Sequence, residues 1–136
     1  MSEITIPYHL AVPSLICVIA LLAILLFRNK LFSKNRILWI AITVFFAFYL
    51  LIVGGATYDD IYYQWNLNRY DLDHDGIFSG QEITRESKEA MKRLTNDVGR
   101  NFSFITGFIC SLILSFVTYC SGHLVKFIIN QIKKTK

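Results

Sequence analysis

Residues 37–56 read ILWIAITVFFAFYLLIVGGA, twenty consecutive positions without an acid or a base. At about 1.5 Å per residue, a helix of this length crosses the roughly 30 Å hydrocarbon core of a bilayer. Two further runs resemble it: 18 uncharged residues at 10–27 and 19 at 102–120. Backbone amides find no water in lipid, so a spanning run satisfies them internally by coiling into a helix. The fold expected is an all-α membrane protein with three transmembrane helices. No Asp, Glu, Lys or Arg lies within the three runs, which removes the usual intramembrane proton relay.

Composition points the same way. Of 136 residues, 54% are hydrophobic and only 18% charged, whereas a soluble domain carries about a quarter charged residues. The formal charge of +4 is not gathered between aromatics on one polar face, so the bilayer and not nucleic acid is the expected partner. The first run has Glu3 before it, no basic region ahead and no A-x-A-like cleavage site before Arg28. It is expected to remain as an anchor and not to be removed as a signal peptide.

The bases suggest which side faces in. The link at 28–36, RNKLFSKNR, holds Arg28, Lys30, Lys34 and Arg36, and the tail holds Lys126, Lys133, Lys134 and Lys136, with no acid in either. Both are expected in the cytoplasm. Residues 57–101 carry nine acids and six bases and are expected outside, with the N-terminus. The expected parts are a hairpin at 1–57, an extracytoplasmic segment at 58–101, and a third helix with its basic tail at 102–136. That last transmembrane helix is expected over 102–120, or as far as 129. The chain is expected to be a multi-pass protein of the cell membrane.

The outer segment holds one specific motif, DLDHDGIFSGQE at 71–82. It resembles the EF-hand calcium loop at every position that pattern restricts. The resemblance implies a helix-loop-helix inserted between the second and third spans. It assigns carboxylate ligands to Asp71, Asp73 and Asp75, the backbone carbonyl to Ile77, a water-mediated contact to Ser79 and a bidentate carboxylate to Glu82. Gly76 falls where the loop must turn sharply, and Phe78 where the family packs an apolar residue against a partner loop. Four carboxylates around one point repel strongly without a cation. An all-oxygen set favours Ca²⁺ over Mg²⁺, which demands tight octahedral geometry, and over zinc, which prefers thiolate and imidazole.

The flanks are consistent with that module. In YDDIYYQWNLNRY at 58–70, Tyr63, Leu67 and Tyr70 share a helical face, and ITRESKEAMKRL at 83–94 is a strong helix former with Glu89 and Arg93 spaced for an ion pair. Glu86 and Ser87 stand where the family has apolar residues, so a Met-rich target groove is not expected. EF-hands pair, and the sequence has no second loop. Either two copies pair as a homodimer through Phe78, or another membrane protein takes the place of the missing hand.

Two functions follow from these readings. The first is a calcium-responsive or calcium-stabilised accessory subunit, in which the ion fixes the outer ends of the second and third spans relative to each other. The second is a homo-oligomeric channel gated or stabilised by calcium, lined by Thr43, Thr106, Ser111, Ser115 and Thr118. No catalytic motif occurs, so an enzyme is not expected. Asp59 and Asp60 read as a charge pair at a helix end, and Cys17, Cys110 and Cys120 as small apolar residues. Pro13 is expected to start or kink the first helix, and Gly54 and Gly55 to permit close contact or a bend.

Overall fold

The computed structural model describes residues 4–134, so Glu3 and Lys136, which entered the charge argument, lie outside the described residues. Among these residues every regular element is helical: α1 (Tyr8–Leu26), α2 (Arg28–Asn68), α3 (Arg85–Thr95), α4 (Val98–Asn101) and α5 (Ser103–Lys134), with one 3₁₀ turn at Gly80–Glu82. Three of them, α1, α2 and α5, are long and apolar enough to cross a membrane. Large apolar side chains point outward along them, among them Leu26, Leu51, Phe116 and Phe127 at 60% exposure or more. Apolar surface on this scale requires lipid or protein against it.

The helices α1 and α5 pack on opposite ends of the chain's order but against the same central rod, α2. The 41 residues of α2 comprise two helical stretches that meet at a kink, where Asn35 has non-helical torsions (φ −155°, ψ 81°), and the longer one runs on past residue 56 to Asn68. Two expectations change here. The 28–36 link is helical up to that kink, and the entering helix at 58–70 is the continuation of the second span, ending at Asn68. Gly54 and Gly55 introduce no bend, because nothing between residues 37 and 68 lacks an amide proton or supplies a stop. The helix that contains the third apolar run, α5, continues to Lys134.

Small residues explain how α5 docks. Ser103, Gly107 and Ser111 are buried at i, i+4 spacing, and a Cβ on Gly107 would stand 2.9 Å from Ile52 Cγ2. Further along, a Cβ on Gly122 would stand 2.7 Å from Ile37 Cγ2. Close backbone approach of this kind is how helices associate where solvent gives no hydrophobic drive. Ser115 Oγ donates to the Ala41 carbonyl (2.8 Å) and Tyr49 OH to the Phe104 carbonyl (3.1 Å), both across the interface. On the other side Leu10 and Cys17 of α1 join Tyr49, Val53 and Ala56 of α2 in the buried core. The start of α1 is set by Pro7, whose carbonyl accepts from the amides of Leu10 and Ala11; Pro13 lies inside the helix.

A candidate metal centre between two helices

At its C-terminal end α2 unwinds as the amides of Tyr70 and Asp71 turn back to the carbonyls of Leu67 and Asn68. Two positive φ values then reverse the chain, His74 at 62° and Gly76 at 81°. A side chain resists this left-handed conformation, which is why glycine suits position 76 and why His74 is the costlier of the two. Side-chain oxygens brace the turn: Asp73 Oδ1 accepts from the Asp75 amide (3.2 Å), Asp75 Oδ1 from the Ile77 amide (2.6 Å) and Asp71 Oδ2 from the Gly76 amide (3.2 Å).

Glu82 closes the loop from its far end. Its Oε1 accepts from the Leu72 (2.6 Å) and Asp73 (3.3 Å) amides, and its Oε2 from the Ser79 amide (3.1 Å). These amides, Ser79 first, hold the Glu82 carboxyl below its ordinary pKa, with His74 adding to the effect. Carboxylate oxygens of Asp71, Asp73 and Glu82 lie within 4.8 Å of one another. Asp71 is 2% exposed and its Oδ1 is buried with no hydrogen-bond partner. A buried carboxylate oxygen left unpaired is costly. Carboxylates this close repel one another when ionised. A cation at their focus relieves both problems.

The structure therefore brings together three of the six residues that the motif singles out. Asp75, Ile77 and Ser79 are exposed around the loop, Asp75 outside the converging group and Ser79 engaged through its amide. Phe78 is half-buried. The exiting helix begins at Arg85 with Thr84 as its cap: the Ser87 amide donates to Thr84 Oγ1 (3.1 Å) and the Thr84 amide to Ser87 Oγ (3.0 Å). Ser87 Oγ in turn donates to the Glu82 carbonyl (2.7 Å), so the polar residue at an apolar position ties the exiting helix to the closing glutamate. The spacing of Thr84 and Ser87 is the signal that would have disclosed this. The ion pair on α3 is Arg85 with Glu89 (3.3 Å), in place of the expected Glu89 and Arg93.

Two further contacts join other parts of the chain to the C-terminal half of α2, and neither is expected from the sequence. Arg100 pairs with Asp60, donates to the carbonyls of Arg93 (3.0 Å) and Leu94 (2.6 Å), and lies 5.0 Å over the Tyr63 ring. Asp60 is thus a partner of Arg100 and of Gln64 (2.9 Å), not half of an isolated acidic pair. The Gln64 amide also exchanges hydrogen bonds with both backbone groups of Thr5 (2.7 and 2.9 Å), anchoring the chain ahead of α1.

Fold and site together define an all-helical protein with three helices able to cross a membrane and one acidic loop beyond the end of the central one. No protein-family model matches the chain, nor does any curated protein or solved structure.

Proposed function

We propose that this chain is a multi-pass protein of the cell membrane that binds one Ca²⁺ in an EF-hand-like loop between α2 and α3. It acts as a calcium-stabilised or calcium-responsive accessory subunit of another membrane protein or of a second copy of itself. The observation that carries the reading is the convergence of carboxylate oxygens from Asp71, Asp73 and Glu82 at a loop where Asp71 Oδ1 is also buried without a hydrogen-bond partner. Asp75, the Ile77 carbonyl and Ser79 complete the oxygen set in this reading. With the four bases of the link and the basic tail inside, the loop and N-terminus lie outside the cytoplasm.

Leu72, Ile77 and Ile83 stand 69%, 67% and 49% exposed around the loop. This apolar rim supports a docked partner, since a single hand has no sister loop to cover it. The channel reading gains no specific support: Ser115 donates across to the Ala41 carbonyl, and Thr43, Thr106, Ser111 and Thr118 each donate to the carbonyl four residues back in their own helix.

Calorimetric titration of the detergent-purified protein tests the proposal. Extracellular modules of this type bind with Kd of roughly 10⁻⁴ to 10⁻³ M, and ten times Kd should stabilise the fold by about 1.4 kcal/mol. Glu82→Gln and Asp71→Asn should each weaken binding at least about tenfold, and magnesium should bind far less. Absence of calcium binding up to about 10 mM, beyond the range of such modules, would sink the assignment.

A further inference from the structure

One face of α2 is left uncovered by every helix that packs against it. Leu51, Gly55, Tyr58, Tyr62 and Trp65 are all exposed, although α1, α3, α4 and α5 contact the same rod. Their spacing alternates four and three residues, which sets them in one stripe along the helix. The rings make a continuous ridge. Tyr58 stacks on Tyr62 with centroids 6.1 Å apart, Tyr62 lies 6.0 Å from Trp65, and the Arg69 guanidinium sits 5.3 Å over the Trp65 ring. Gly55 falls within this stripe. Gly107 and Gly122 permit close approach inside the chain, but a Cβ on Gly55 would meet nothing within 4 Å. Packing within one copy therefore gives no reason for a glycine there.

We propose that this stripe is where a second copy of the chain docks, the two α2 helices lying parallel and in register. Copies inserted in one membrane share an orientation, so a repeat of four and three residues meets its own equivalent, the geometry of a left-handed helix pair. No acid or base lies on the stripe from Leu51 to Trp65, so identical copies bring no like charges together there. Gly55 leaves room for the opposing helix to approach closely. Leu51, Tyr58, Tyr62 and Trp65, at 70%, 66%, 42% and 48% exposure, offer roughly 500 Å² per copy. Two copies then bury about the 1,000 Å² that a specific interface needs. Lipid covers the stripe less well. Trp65 stands nine residues past Ala56, about 14 Å along the helix, whereas the headgroup layer is only about 5–8 Å deep. The inference rests on the membrane insertion proposed above, gives the self-association a surface, and is independent of calcium.

Energy transfer between copies tests the proposal. The full chain, its native cysteines replaced, carries a donor or an acceptor dye on a single cysteine at Lys88, which is exposed on α3. It is reconstituted in phosphatidylcholine vesicles with a chelator present. As protein is diluted in lipid, transfer should fall along the curve of a two-body equilibrium. Gly55→Leu should raise the dissociation constant about tenfold or more, the usual scale of overpacking at a contact. The same variant should be no less stable to heat, because the new side chain meets nothing in its own chain. Under mild oxidation Tyr62→Cys should join two copies by a disulfide at dilutions where Lys88→Cys does not. A monomer at every dilution, the result if lipid or a different protein covers the stripe, overturns the proposal. An unchanged dissociation constant in Gly55→Leu puts the contact elsewhere, as at the acidic loop, and overturns it too. If the chain does not float with the vesicles, the membrane insertion itself fails, and the proposal with it.

Discussion

Arg100 Nε lies 3.3 Å from Asp60 Oδ1, joining residues 40 positions apart whose side chains are only 10% and 14% exposed. The pair fastens the short α4, and with it the approach to α5, to the C-terminal half of α2. It does so through protein groups alone, at the same ends that calcium was expected to hold in a fixed relation. This supports a calcium-stabilised role over a calcium-responsive one.

Arg100→Gln should cost about 2 kcal/mol in thermal unfolding, because it strands a shielded carboxylate and releases two carbonyls. Spin labels at the exposed Tyr58 and Phe102 should give one narrow distance distribution with or without calcium, and a broad one in the Arg100→Gln chain. A calcium-dependent displacement in the unaltered protein would restore the responsive reading.

The pH dependence of the ion-free loop follows from Glu82. Its folded pKa lies below the ordinary value of 4.5 because amides stabilise the ionised form. A lowered pKa contributes stability that is complete above the ordinary value and is lost as pH falls through the folded one. Amide protection at Leu72, Asp73 and Ser79 should therefore persist at pH 5 to 7 and decline only below about pH 4.5. Glu82→Gln should abolish this acid-dependent part of the decline. An equal slope in both chains would show that the carboxylate does not organise the loop.

At the α2–α5 interface, Gly107→Ala should destabilise by about 1–3 kcal/mol, the usual cost of overpacking, since its Cβ would meet Ile52 Cγ2 at 2.9 Å. Ile52→Ala in the same chain should recover part of the loss. Gly99, with nothing within 4 Å of an added Cβ, is the control. Gly99→Ala should be neutral or stabilising by up to about 1 kcal/mol, and thermal unfolding of the four chains checks the set.

Orientation is testable without any ligand. In a chain whose native cysteines are replaced, a cysteine at Lys34 should resist an impermeant thiol reagent in intact cells, while one at Gln81 should react. The reverse labelling would invert every assignment of side.

The three apolar runs were legible because a long stretch without charge has few alternatives to a helix, and each falls within α1, α2 or α5 to within one residue. Their ends were not, because hydropathy marks where lipid contact stops and helix propensity carries on: residues 57–68 are polar yet contain nothing that breaks a helix. The acidic cluster of Asp71, Asp73 and Glu82 was legible for a different reason, in that its members are near neighbours in sequence. Arg100 with Asp60, and Thr5 with Gln64, depend on segments meeting after folding, and no local pattern announces them. The four-residue spacing of Ser103, Gly107, Ser111 and Ser115 was open to view, but the hydroxyls drew attention as a pore lining and the glycine among them passed unnoticed.

The unbroken continuation of α2 sets a height. If the hydrocarbon boundary falls near Ala56, the 12 residues to Asn68 lift the loop about 18 Å along the helix axis. The electrostatic screening length in physiological salt is about 8 Å. The carboxylates of Asp71, Asp73 and Glu82 then sit beyond the diffuse cloud of counterions that a charged lipid surface collects. Their occupancy should follow the calcium activity of the surrounding fluid and be nearly indifferent to the charge of the leaflet below.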